Sequence, residues 1–132
     1  MKSFEPVYKE LEELFIHKLP EYIDIINKEH NDGIILKQLE NHALEEYCVK
    51  RPCFKFGIDE AEYSEKDRII ENTIFSIKLE LKLLQEKNQE TILFWRYVEA
   101  IQKLFEESEC DFLYKITGIK IPQIIIKITL CR

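Results

Sequence analysis

From Asn72 to Leu84 the chain alternates between apolar and polar residues almost without a break. Phe75, Ile77, Leu79, Leu81 and Leu83 share one parity, and Ser76, Lys78, Glu80 and Lys82 share the other. Successive side chains on a strand point to opposite faces, so this pattern buries one side of a sheet and wets the other. A sheet with one polar face is typically antiparallel, because parallel sheets usually carry helices on both faces. The alternation predicts a long strand over 67–84, longer than most strands and therefore bent or bulged.

Other segments have a helical period. Phe4, Val7, Tyr8, Leu11, Leu14 and Phe15 fall at three- and four-residue steps and predict an amphipathic helix over 3–18. Pro20 is expected to break it, since proline restricts Leu19 and lacks an amide donor. A short second helix follows, with Tyr22, Ile25 and Ile26 inward, and Asn31-Asp32-Gly33 ends it. Over 90–107, Phe94, Tyr97, Val98, Ile101, Leu104 and Phe105 mark the inward face of the clearest helix, with Trp95 off that face.

The remaining segments are shorter or less regular. Residues 34–50 read as a loop with one or two helical turns. Residues 53–58 read as a short strand and 59–66 as a polar connection. In the closing block, 111–132, Ile124, Ile126, Ile128 and Leu130 share a parity, and Gly118 or Pro122 marks the preceding turn. The order is α-α-β-β-α-β-β without repeats or linkers. It predicts a single α+β domain over 1–132: a two-layer sandwich, its antiparallel sheet of about four strands covered by the long helix and the N-terminal helices.

The 132 residues suffice for one core, and 45% hydrophobic with 33% charged residues suits a folded chain. The formal charge of −6 argues against non-specific nucleic-acid binding, which relies on lysine and arginine neutralising phosphates. The N-terminus lacks an apolar signal region, and nothing approaches the roughly 18 apolar residues of a membrane span. A cytoplasmic protein with no membrane partner is expected.

Cys48, Cys53, Cys110 and Cys131 contain no Cys-x-x-Cys pair and read as free thiols. A metal site from His42, Cys48 and Cys53 would have loose spacing. Gly33, Gly57 and Gly118 are too far apart for a phosphate cradle, and His17, His30 and His42 form no zinc motif. No catalytic, cofactor-binding or metal-binding residue is therefore assigned. Leu93-Phe94-Trp95-Arg96-Tyr97 carries more information, because Trp, Tyr and Arg are enriched at interface hot spots. Trp95 and Arg96, with the polar row Lys78, Glu80 and Lys82, are the candidate interface residues. A free sheet edge offers a second route to self-association.

Leu19-Pro20-Glu21-Tyr22-Ile23 after a helix, Asn31-Asp32-Gly33-Ile34, Pro52 before a short strand, and the Phe-Trp-Arg-Tyr helix between β segments resemble small bacteriophage neck and tail-completion proteins. The layout is similar to that of tail terminators. The resemblance implies a non-enzymatic virion protein that forms a ring, commonly a hexamer, caps the tail tube and meets the head connector. It also implies 34–51 as a subunit or tube contact, although this segment looks more helical than a projecting hairpin would. An acidic chain would suit a passage through which DNA slides. The alternative is a ferredoxin-like ligand-binding or regulatory module acting as a dimer. A third reading, a cysteine-dependent enzyme, requires one unusually reactive thiol.

Overall fold

A computed structural model describes residues 4–41, 53–66, 69–82 and 90–131. A helical layer covers one face of a sheet, in the α+β arrangement that the hydropathy pattern predicts. The first helical stretch comprises α1 (Phe4–Glu13), a π-helical turn (Leu14–Lys18) and α2 (Leu19–His30). The break expected at Pro20 does not occur. The Leu19 amide donates to the Leu14 carbonyl, a five-residue step that widens the helix just before the proline. Pro20 then lies in the first turn of α2, where its missing amide is tolerated. Both sides of the widened turn are anchored, since Leu14, Phe15 and Leu19 are all buried. Further along α2 the buried residues are Ile23 and Ile26, whereas Ile25, expected inward, is exposed. Asn31 ends α2 in the left-handed conformation (φ 39°), and Gly33 follows at φ 85°. Asparagine and glycine adopt that region most readily.

Strand β1 (Glu40–Asn41) is short, and β2 (Cys53–Lys66), β3 (Ile69–Lys82), β4 (Leu113–Lys120) and β5 (Gln123–Cys131) are long. The sheet order is β1-β2-β3-β5-β4. All long strands pair antiparallel, and β1 pairs parallel with Cys53 and Phe54 of β2. The polar run 59–66, read as a connection, belongs to β2. Register shifts between Ile58 and Glu60 and between Ser64 and Glu65 interrupt the two-residue alternation there. Pairing with β3, rather than local hydropathy, keeps this segment extended. The expected helical turns do not occur over residues 34–39, which are irregular. The proposed contact and metal residues in 42–52, including His42 and Cys48, lie outside the described residues.

The turn between β4 and β5 falls at Ile121-Pro122, joined by a cis peptide. Gly118 instead follows a register shift within β4. Ile77, Leu79 and Leu81 of β3 lie across from Phe54, Phe56, Ile124 and Ile126 on the same face. Helix α3 (Glu90–Glu107) buries Phe94, Tyr97, Val98, Ile101 and Leu104 in the core formed with that face, joined by Val7, Leu11, Phe15 and Ile26. Aromatic rings join the layers: Phe15 meets Phe54 and Phe56 at centroid distances of 5.3 and 5.2 Å, and Phe105 stacks on Tyr114 at 5.1 Å.

Candidate assembly surface

The sheet ends at β4, whose only strand partner among the described residues is β5. A strand with one open side presents unpaired backbone donors and acceptors that another strand can complete. Beside this edge runs a groove of about 560 Å³ between α3 and β4, lined by Trp95, Val98, Gln102, Ile116 and Ile119. Glu99 and Lys103 also line it. The register shift between Ile116 and Gly118 explains how Ile119 joins the groove. It adds a residue to β4, so Ile116 and Ile119 lie opposite Ile126 and Ile124, both on the inner face. Trp95 is 46% exposed and meets Phe94 edge-on at 6.2 Å. Leu113, at 65% exposure, lies opposite Thr129 on the other face of the sheet, and Ile121 is exposed at the hairpin turn.

The candidate residues Trp95 and Arg96, adjacent in sequence, face different surroundings. Arg96 is only 8% exposed. Its guanidinium forms a two-pronged ion pair with Asp32, with Nη1 to Oδ1 at 3.0 Å and Nη2 to Oδ2, and Nη1 also donates to the Ile34 carbonyl at 3.2 Å. The Ile34 amide donates to Asp32 Oδ1 at 3.2 Å. Arg96 thus holds the turn after α2 against α3. Lys78 and Glu80 lie on the sheet face opposite the helices: Lys78 is paired in register with Gly57 and Ile125, and Glu80 with Lys55 and Gln123. Lys82 ends β3 opposite Cys53. The structure therefore separates the candidate residues between two layers.

Several contacts strap residues 31–38 to the helices. The Leu36 amide donates to Asn27 Oδ1 at 2.8 Å, and Asn27 Nδ2 donates to the Leu36 carbonyl at 3.0 Å. The Tyr97 hydroxyl donates to the Lys37 carbonyl at 2.6 Å. His30–Glu99 and Lys103–Glu29 contacts, at 3.0 and 2.9 Å, tie α2 to α3. In the sequence Asp32 reads only as a turn residue, because the arginine that needs its carboxylate is 64 positions away.

Glu10 anchors the start of β4. It accepts from the Asp111 amide at 2.9 Å, the Phe112 amide at 3.4 Å and the Tyr114 hydroxyl at 2.8 Å. Burial first, and then Glu10, push the Tyr114 hydroxyl above its ordinary range. Burial, with Glu10 and Asp111 nearby, also pushes the Cys110 thiol up. A raised pKa lowers the thiolate fraction, so Cys110 is poorly suited to nucleophilic attack. Among the described residues no cluster of three metal-ligating side chains occurs, and no helix is long and apolar enough to cross a membrane.

Arg96 holds the Asp32 carboxyl down at about 2, chiefly through its hydrogen bonds and against the opposing effect of desolvation. The unfolded chain takes up this proton near the ordinary value of 3.8 and the folded chain near 2. The contribution of Asp32 is thus fully present above the unfolded value and is lost as pH falls toward 2. Urea unfolding from about pH 6 to pH 2 should show the midpoint falling over this window, with a shallower fall in Asp32→Asn. Equal slopes in the two proteins would remove the ion pair as a source of acid sensitivity.

Neither protein-family models nor curated proteins give a match to this chain.

Proposed function

We propose that this chain is a non-enzymatic structural subunit that assembles with copies of itself, as a phage or prophage neck or tail-completion protein of the terminator type. The observation that carries the reading is the open edge of β4 beside a groove containing a half-exposed tryptophan. An unpaired edge supplies backbone hydrogen bonding, and a neighbouring aromatic supplies the apolar anchor common to interface hot spots. Closed rings arise from head-to-tail contacts between two different surfaces, and a sheet with two ends provides such surfaces. In this role the chain would stop tube growth and present a platform to the head connector.

One feature of the topology favours the regulatory-dimer alternative: α3 links β3 to β4, which run the same way with β5 inserted antiparallel between them, a split βαβ unit of the ferredoxin-like kind. The oligomeric state separates the two readings.

Light scattering across a concentration series, with electron micrographs of the large species, tests the proposal. A closed ring, six-fold in the terminator reading, is the expected result. A protein that stays monomeric or stops at a two-fold dimer would overturn it.

A further inference from the structure

The two ends of the sheet differ in charge. The β4–β5 hairpin, Leu113–Cys131, contains Lys115, Lys120 and Lys127 and no aspartate or glutamate. Lys115 and Lys127 sit directly opposite one another in register, and both are exposed. Directly opposed like charges destabilise a strand pair, so this arrangement favours an anionic neighbour. At the other end, β2 carries Asp59, Glu60, Glu62 and Glu65 against Lys55 and Lys66. Strand β1 covers only Cys53 and Phe54 on the outer side of β2, and no other described strand pairs there.

Resting on the self-assembly reading above, we propose that β4 of one copy pairs antiparallel with β2 of the next, basic edge against acidic edge. The strand directions permit this pairing. Strands β2 and β5 run one way and β3 and β4 the other, as their antiparallel registers require. A copy related by rotation about an axis along the strands therefore presents its β2 antiparallel to the first copy's β4. The sheet then continues from subunit to subunit. Because the joined surfaces differ, the contact is heterologous and closes into a ring when the rotation permits. The eight residues of β4 set the maximum extent of the pairing. Edge lysines also reject unselected strands, which would restrict this edge to an acidic partner.

Charge reversal with complementation tests the contact. One variant carries Lys115→Glu and Lys120→Glu, and the other carries Glu60→Lys and Glu62→Lys. Each alone places like charges across every contact and should weaken self-association by about tenfold or more. Mixed in equal amounts, the two restore opposite charges at both alternating contacts, so large species should return. Recovery on mixing also shows that both variants are folded. If each variant assembles like the original protein, edge pairing is overturned while self-assembly stands. If each fails and the mixture does not recover, edge pairing is likewise overturned. An original protein that remains monomeric throughout overturns the self-assembly reading itself.

Discussion

Phe94→Ala should lower the free energy of unfolding by about 3–5 kcal/mol, the usual range for removing a fully buried phenylalanine. Phe94 is completely buried and lies on α3, whose inward face belongs to the core shared with the sheet and α1–α2. Its removal forfeits apolar burial and leaves a cavity that the surrounding structure fills only in part. Total stability for a domain is typically about 5–15 kcal/mol, so this change takes a large share. Urea unfolding followed by circular dichroism is the measurement. A loss below about 1 kcal/mol would mean that α3 is not seated on the sheet as described.

Trp95→Ala, one position along the same helix, should have the opposite profile. Trp95 is 46% exposed and lines the α3–β4 groove, so its truncation should alter stability by less than about 1 kcal/mol. Self-association should weaken by about 2 kcal/mol, roughly thirtyfold, the scale of a tryptophan interface hot spot. Sedimentation or light scattering over a dilution series reads this directly. A Trp95→Ala protein that assembles with unchanged affinity would show that the groove faces solvent in the assembly. The two substitutions together separate folding from association, because adjacent positions on a helix point about 100° apart.

This contrast was legible in the sequence for Trp95 but not for Arg96. The helical period over 90–107 places Phe94, Tyr97, Val98 and Ile101 on one face and leaves Trp95 outside it, as observed. Arg96 looked like a companion to Trp95 because composition favours arginine at interfaces. Its guanidinium is instead buried and paired with Asp32, which joins the start of the loop after α2 to α3. A helical wheel shows which way a residue points, but it does not reveal what another element brings there.

Pro20 and β2 illustrate the same limit. Local rules end a helix near a proline, yet the π turn at Leu14–Lys18 carries the chain through with Leu14, Phe15 and Leu19 buried on both sides. Likewise 59–66 is polar and loses its alternation at a bulge, but ladder pairing with β3 keeps it extended. In both cases the energy of tertiary packing or pairing outweighs a local preference of a few kcal/mol or less.

Local periodicity was enough for the α+β class, the inward face of α3 and the parities of β3 and β5, because periods of 3.6 and 2 are properties of neighbouring residues. That β5 inserts between β3 and β4, and that the lysine-bearing β4 becomes an edge beside the Trp95 groove, emerges only in the assembled fold. Strand order and groove shape arise from pairings between residues far apart in the chain. Such pairings are set by the packing of the whole core, so no local period records them.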